Sequence, residues 1–155
     1  MGVTIRAGGV EDLPGAAALW KQLDAYHRSL GLAFPEVENA PQKWAESFQR
    51  TLGRFSFLWL AEQDGQALGF LMARVKQSPA YLGGQQVGEI SDLYVKEAAR
   101  GGGLAAQLAQ TAMQKFTELG VHSVEVQVQA GNEAGLAFWR KQGFALDLTL
   151  VRKVL

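Results

Sequence analysis

The chain has 155 residues, of which 48% are hydrophobic and 19% are charged, a balance typical of a globular domain and not of a disordered protein. Lysine and arginine together number 15, as do aspartate and glutamate, so no net charge favours a nucleic-acid partner. The lack of cysteine excludes disulfides, thiolate catalysis and sulfur-ligated zinc, and the only two histidines are far apart, so we expect no metal. No apolar run approaches the roughly 18 residues of a membrane span, and no signal peptide is recognisable. We therefore expect a cytoplasmic protein without a membrane partner.

The first half of the chain predicts a strand, two helices and a hairpin. Alternating polar and apolar residues indicate a strand over 3–8, and apolar residues at helical spacing indicate helices over 10–30 and 41–53. Residues 55–77 then predict two strands around Asp64-Gly65, a dipeptide typical of tight hairpins.

The second half alternates strands with helices. A strand over 87–95 precedes a helix over 102–119, and a strand over 122–129 precedes a short helix over 132–144. One or two final strands are expected within 144–155. With no linker or repeat, residues 1–155 form a single predicted domain of the mixed α/β class.

A run of three glycines adjoins the helix that begins near residue 102. The first N–H groups of a helix lack intrahelical partners and attract anions, and small residues allow a phosphate to approach them. Gly101 and Gly103 permit unusual backbone dihedrals, Ala105 keeps the first turn small, and Arg100 adds a donor. The spacing lacks the Lys-Ser/Thr of a P-loop and does not follow the dinucleotide pattern, so the loop predicts a pyrophosphate site of another kind.

Two motifs carry a resemblance to a known family. Residues 100–105, RGGGLA, match Arg/Gln-x-x-Gly-x-Gly/Ala, and residues 132–144, NEAGLAFWRKQGF, resemble Asn-x-x-Ala-x-x-Phe-Tyr-x-Lys-x-Gly-Phe. The chain thus resembles the GCN5-related N-acetyltransferase (GNAT) superfamily. The resemblance implies a single-domain α/β (α+β) fold with a mixed, mostly antiparallel sheet of about six to seven strands and helices on both faces. It also implies acetyl-CoA as co-substrate, with no metal.

The resemblance also implies which residues bind acetyl-CoA. The backbone of Leu93, Tyr94 and Val95 would bind the pantetheine arm, and the Leu93 N–H would polarise the thioester carbonyl. Asn132 would bind the pantetheine or only cap its helix, and Arg140 or Lys141 would reach the nucleotide phosphates. The pyrophosphate would lie on the backbone N–H groups of Arg100, Gly101, Gly102, Gly103, Leu104 and Ala105, among which Gly103 and Ala105 have the critical spacing and Gly102 takes a variable slot.

Two positions depart from the family pattern. Gly135 stands where alanine is usual, a change of expected small consequence for packing. Trp139 replaces a frequent tyrosine that protonates the departing thiolate, and an indole has no usable acidity. Trp139 therefore packs along the pantetheine or belongs to the core. Tyr94 and Tyr81 are the candidates to replace the missing acid.

Glu89 is the first candidate for the general base that deprotonates the amine. Strict alternation along the strand places Glu89, Ser91 and Leu93 on one face and Asp92 on the other, and the Leu93 backbone is expected at the thioester. Asp92 is the second candidate. The alternative for Glu89 is a surface carboxylate at a strand end.

The acceptor pocket is expected near the first two helices, where Tyr26, His27 and Phe34 would lie together with Asp92. The alternative is an ordinary helix histidine with aromatic core neighbours.

The resemblance implies direct acetyl transfer to a primary amine. The short chain and the lack of a strongly acidic composition favour a small-molecule acceptor over a protein. One alternative is a CoA or acyl-CoA sensor without catalysis, which Trp139 favours, and another is a protein N-acetyltransferase. The apolar segment 146–155 makes a homodimer possible.

Overall fold

The computed structural model describes residues 2–155 and contains one five-stranded sheet in the order β1-β2-β3-β4-β5. Neighbouring strands are antiparallel except β4 and β5, which are parallel. The strands are β1 (Thr4–Gly8), β2 (Ser56–Gln63), β3 (Gln66–Gln77), β4 (Gln86–Val95) and β5 (Ser123–Val126). The helices are α1 (Leu13–Ser29), α2 (Ala40–Glu46), α3 (Leu104–Leu119) and α4 (Glu133–Lys141).

Each face of the sheet carries its own apolar core. On one face Phe70 and Met72 are fully buried beneath α1 and α2, together with Leu58 and Leu60. On the other face the cluster includes Leu71, Ala73 and Ile90 of the sheet, the apolar side of α3, and Trp139 of α4. Successive residues of β3 therefore alternate between the two cores, because side chains of a strand point to opposite faces. The expected mixed α/β fold with helices on both faces is confirmed.

In the first half of the chain the predicted hairpin is confirmed, and the second helix is confirmed in part. Asp64 and Gly65 both have positive φ (53° and 76°) and join β2 to β3, as the hairpin signal predicts. The second helix is shorter than predicted, because after Glu46 the chain continues to Leu52 in a series of turns.

The sheet has fewer strands than expected. Residues 144–155 form no strand, so the prediction of one or two final strands, and of six to seven in all, is wrong. Phe144 packs against the core, whereas Leu148 is 85% exposed and Leu146, Leu150 and Val154 are exposed as well. Alternation makes a segment suitable for a strand, but a strand also needs a neighbour to hydrogen-bond, and within residues 2–155 this segment has none.

A β-bulge interrupts β4 at Ser91. Ala73 of β3 pairs with Ile90 and Met72 pairs with Asp92, so Ser91 is an extra residue without an opposite partner. A bulge bends its strand. The parallel pairing of β4 with β5 ends at the same point, with Ile90 opposite Val126. This divergence also explains why β5 covers four residues and not the predicted 122–129.

Among the described residues, no helix has the length and apolar character needed to cross a membrane.

Candidate active site

A cleft of about 370 Å³ opens where β4 and β5 diverge, a size within the range of small-molecule sites. One wall is the second half of β4, Ser91–Val95, and the opposite wall is formed by 126–128. The end of α1 and the first turns of α4 border it, and its other lining residues are Leu23, Tyr26, His27, Ile90, Arg100, Ala105, Asn132, Ala134, Gly135, Phe138 and Trp139. The bulge thus creates a cleft with strand backbone along one side.

The glycine loop has the backbone expected of an anion cradle. Gly101 and Gly103 have φ of 89° and 80°, in the left-handed region that favours glycine, whereas Gly102 does not. No atom lies within 4 Å of where a Cβ would stand on any of the three, so the space beside the loop is open. Helix α3 begins directly after it, at Leu104. The first N–H groups of α3, including those of Leu104 and Ala105, therefore face outward without intrahelical partners.

Arg100 differs from its neighbours, because its backbone N–H donates to the Glu97 carbonyl at 3.2 Å. That N–H belongs to a turn and is not a free donor. The side chain remains at the cleft: Nε donates to the Val95 carbonyl at 2.9 Å, and the guanidinium lies 5.5 Å from the ring centre of Tyr94. The Tyr94 hydroxyl in turn donates to Gln22 of α1 at 2.9 Å. These contacts fix the end of β4 against the start of the glycine loop.

Asn132 caps α4 and joins it to α1. Its Oδ1 accepts the Gly135 N–H at 2.9 Å and the Tyr26 hydroxyl at 3.0 Å. A Cβ on residue 135 would lie 2.8 Å from the Asn132 Cγ, closer than real Cβ atoms approach. The expectation that Gly135 matters little for packing is therefore wrong, since Gly135 makes room for the conformation of Asn132.

Trp139 belongs to the apolar core and also forms part of the cleft wall. It is buried, with ring centroids 5.0 Å from Phe138 and 5.1 Å from Phe144 in edge-to-face geometry, and it also lines the cleft. Lys141 is exposed at the end of α4 and is not among the lining residues.

The bulge brings the two carboxylates to the same face of the sheet, whereas alternation predicts opposite faces. Because Asp92 pairs with Met72 and Glu89 pairs with Arg74, both carboxylates lie on the face covered by α1 and α2. Leu93 packs against the opposite core. The prediction that Asp92 lies opposite Glu89 is wrong, because it assumed an uninterrupted strand.

Asp92 lies in the cleft wall beneath two tryptophans. Its Oδ2 accepts the Ser91 hydroxyl at 2.8 Å and the Trp44 indole N–H at 3.3 Å, and Trp44 stacks on Trp20 with centroids 5.9 Å apart. Burial raises the pKa of Asp92 to about 6, although the hydrogen bonds from Ser91 and the tryptophans act to lower it. A carboxylate of this kind is ionised at neutral pH and readily takes a proton.

Glu89 has a different environment. It accepts Arg74 Nε at 2.7 Å and Lys76 Nζ at 3.0 Å, and Lys76 also pairs with Glu125. Burial acts to raise the pKa of Glu89, but the hydrogen bonds from Arg74 and Lys76 outweigh it and hold the pKa below its ordinary value. Glu89 is not among the residues that line the cleft. This geometry does not favour a proton acceptor.

Only some of the residues expected to form the acceptor pocket lie together at the cleft. Tyr26, His27 and Asp92 line the cleft. Burial lowers the pKa of His27, although the negative charge of the nearby Asp24 acts to raise it. Phe34 does not line it: its ring is 60% exposed and lies 4.7 Å from the Arg152 guanidinium. Within residues 2–155 no group of three or more potential ligands is placed to hold a metal ion, and the absence of a metal stays a prediction.

The fold and the cleft define a class of mixed α/β proteins in which a cleft opens between diverging strands beside a glycine-lined helix start. The model of the acetyltransferase (GNAT) family matches residues 19–144, which is most of the chain. The chain belongs to this family.

Named relatives of the chain are acetyltransferases. A mycothiol acetyltransferase of Amycolatopsis mediterranei is 34% identical over 95 residues, which are 61% of this chain and 32% of that protein. This chain thus spans about a third of the length of that relative. An L-methionine sulfoximine/L-methionine sulfone acetyltransferase of Pseudomonas aeruginosa is 27% identical over 147 residues, covering 95% of this chain and 83% of the relative.

The fold has a close match among solved structures. A predicted acetyltransferase from Clostridium acetobutylicum, crystallised with acetyl-CoA, superposes with a TM-score of 0.82 at 16% identity, over 99% of this chain and 96% of the other. At this identity the match concerns the fold.

Proposed function

We propose that this chain is an N-acetyltransferase that transfers the acetyl group of acetyl-CoA directly to a primary amine of a small molecule. The observation that carries the proposal is the cleft formed at the Ser91 bulge, which joins strand backbone, the start of α3 and the Asp92 carboxylate. The full-length relative with two small amino-acid substrates in its name supports a small acceptor. We propose residues 1–155 as one domain, located in the cytoplasm.

The donor half of the proposed site is mainly backbone. The N–H groups of the Gly101–Gly103 loop and of the first turn of α3 bind the pyrophosphate, and the outward edge of Leu93–Val95 binds the pantetheine arm. Bound acetyl-CoA supplies an activated acyl group as a thioester. The Leu93 N–H donates to the carbonyl oxygen and stabilises the negative charge that develops on it.

In the acceptor half, Asp92 replaces Glu89 as the proposed general base. The acceptor amine enters as an ammonium ion and gives a proton to the Asp92 carboxylate, after which the nitrogen attacks the acetyl carbon. A C–N bond forms, the C–S bond breaks with its electron pair remaining on sulfur, and the amide nitrogen releases its second proton to solvent. Trp139 has no acidic proton to give, so we propose that the thiolate takes its proton from solvent or from Tyr94, whose hydroxyl also borders α1.

The test combines binding with turnover. We expect the purified protein to bind CoA in calorimetry, and to release free thiol from acetyl-CoA when small amines such as amino acids, polyamines and aminoglycosides are added. Tight CoA binding without turnover for any amine would instead support the acyl-CoA sensor that Trp139 favours. Turnover confined to peptides would support a protein N-acetyltransferase.

We further propose that two copies associate through residues 146–155. This segment exposes Leu146, Leu148 and Leu150, and β5 ends the sheet with one strand edge unpaired. Adding the segment of a second copy to that edge would bury the leucines and satisfy backbone groups of β5. Light scattering tests this: we expect a dimer that Leu148→Lys converts to a monomer, and a monomeric native protein would contradict it.

A further inference from the structure

A row of charged side chains crosses the sheet next to Asp92. Arg74, Glu89 and Glu125 lie in register on β3, β4 and β5, and Lys76 lies two residues beyond Arg74. Arg74 and Glu89 occupy the same face of the sheet as Met72 and Asp92. They form the next cross-strand pair on that face, two residues further along β3. Two residues of a strand span about 6.6 Å, so this row lies outside the residues that line the cleft but begins close to the proposed base.

Arg74 is the cation of this row that has unused hydrogen-bond donors. Lys76 is engaged by both Glu89 and Glu125. Arg74 donates to Glu89 through Nε alone in the described part of the chain, and its side chain is 52% exposed. A guanidinium carries five N–H groups, so the two terminal nitrogens of Arg74 remain able to bind a carboxylate in the bidentate manner.

From this arrangement we propose that the acceptor is an α-amino acid, whose carboxylate binds Arg74 while its amine faces Asp92. The inference rests on the proposed acetyltransferase function and names the substrate class of the same site. Glu89 is then a positioning residue, since it accepts the Arg74 Nε–H at 2.7 Å and so holds the guanidinium in place.

The dimensions and charges agree with this assignment. The amine nitrogen and the far carboxylate oxygen of an α-amino acid are roughly 3.5 Å apart, and hydrogen bonds of about 2.9 Å at each end give a span near 9 Å. That span exceeds the spacing of the two rows by about 2 Å, a difference that the long Arg74 side chain can cover. The row balances two cations with two anions, so Asp92 supplies the remaining negative charge for an ammonium group.

The experiment compares amino acids with the amines that remain when only the carboxylate is removed. Suitable pairs are L-leucine and isoamylamine, L-phenylalanine and phenethylamine, and L-lysine and cadaverine. With saturating acetyl-CoA, we expect the native protein to have a kcat/KM at least about 30-fold higher for the amino acid of the best pair. Equal values in every pair that is turned over would overturn the proposal.

Two variants separate the role of Arg74 from general damage to the charged row. Arg74→Gln should lower kcat/KM for the amino acid by roughly 10- to 100-fold, chiefly through KM, and leave the decarboxylated amine within about threefold. Lys76→Gln is the matched control, because it also removes one ion pair from Glu89 and should change neither substrate by more than about threefold. A loss of the same size for both substrates in Arg74→Gln would overturn the carboxylate role.

The failure of this inference is distinguishable from failure of the proposed function. Turnover of amines without a carboxylate, and of no amino acid, would overturn the substrate class and leave the acetyltransferase standing. Binding of CoA without release of thiol for either member of any pair or for any other amine would overturn both.

Discussion

The two halves of β4 differ in pairing, in shape and in the state of their carboxylates. Gln86–Ile90 is paired with β3 on one side and, from Val87, with β5 on the other, and its Glu89 is neutralised by two cations. Ser91–Val95 keeps β3 as neighbour, but its other edge faces the cleft, and within residues 2–155 Asp92 has no cation among its hydrogen-bond partners.

One strand thus provides both structural support and reactive groups. The pKa of Glu89 is held low and the pKa of Asp92 is raised to about 6, although the two residues are only three positions apart on the same face. Groups whose surroundings move their pKa values apart commonly have different roles in an active site. Gln86–Ile90, the closed half, is paired within the sheet and stabilises it. Ser91–Val95, the open half, lines the cleft and carries the proposed reaction.

The largest effect on kcat/KM is expected from substitution of Asp92, the carboxylate in the second half of β4. Asp92→Asn should lower kcat/KM by about 10²- to 10⁴-fold, because it removes the proposed base. In the native protein, kcat/KM should fall below a pH of about 6 as Asp92 is protonated, and this fall should be absent in the variant. Rates measured from pH 5 to 9, with CoA binding as a check on folding, test this.

Glu89→Gln is the companion variant. Measured with an amine that has no carboxylate, it should keep the fall below pH 6 and change kcat/KM by roughly threefold or less, since Glu89 does not line the cleft. With an α-amino acid its KM should rise, because Glu89 holds the Arg74 guanidinium. If Glu89→Gln abolished the pH dependence and Asp92→Asn kept it, the first candidate from the sequence would be correct and the roles of the two halves would be exchanged.

The next effect concerns the loop that follows the open half. Gly103→Val should raise the dissociation constant of CoA about 10- to 100-fold, because a β-branched residue is strained at a φ of 80° and its side chain would enter the cradle. Gly102→Ala, at a position without positive φ, should change it by less than about threefold. Calorimetry with CoA measures both, and equal losses would show that the register of the loop is wrong.

The features predicted from the sequence are those that neighbouring residues determine. The hairpin at Asp64-Gly65 follows from local turn chemistry, and the glycine-lined start of α3 follows from the residues beside it. Strict alternation does not predict the bulge, although the sequence carries a sign of it: Ile90 and Leu93, which face the same core, are three residues apart, whereas Leu93 and Val95 are two apart. Such a change of parity predicts an inserted residue.

Other features depend on distant parts of the chain and could not be predicted. Residues 144–155 have a good strand pattern, but pairing is a property of the partner as much as of the segment. The bond between Tyr26 and Asn132 joins residues 106 positions apart, and the pairing of Glu89 with Arg74 and Lys76 required the register of β3.

A smaller effect is expected where α4 closes the open half. Gly135→Ala should displace the Asn132 side chain and thereby weaken both the helix cap and the bond to Tyr26. Loss of a cap costs about 1 kcal/mol, so we expect a Tm lower by roughly 3 °C and a KM for acetyl-CoA a fewfold higher. Asn132→Ala is the matched variant, and an unchanged Tm in both would contradict the structural role of the cap.

The smallest effect is expected at the bulge residue itself. Ser91→Ala removes the hydroxyl that donates to Asp92 at 2.8 Å and, because that bond stabilises the ionised carboxylate, its loss should raise the pKa of Asp92 further. A rise of roughly half a unit to one unit would lower kcat/KM about two- to sixfold at pH 6 and leave it nearly unchanged at pH 8. Ser91→Thr keeps a hydroxyl and should retain the native profile. A fall of equal size at all pH values would mean that Ser91 acts through the shape of the bulge and not through the charge of Asp92.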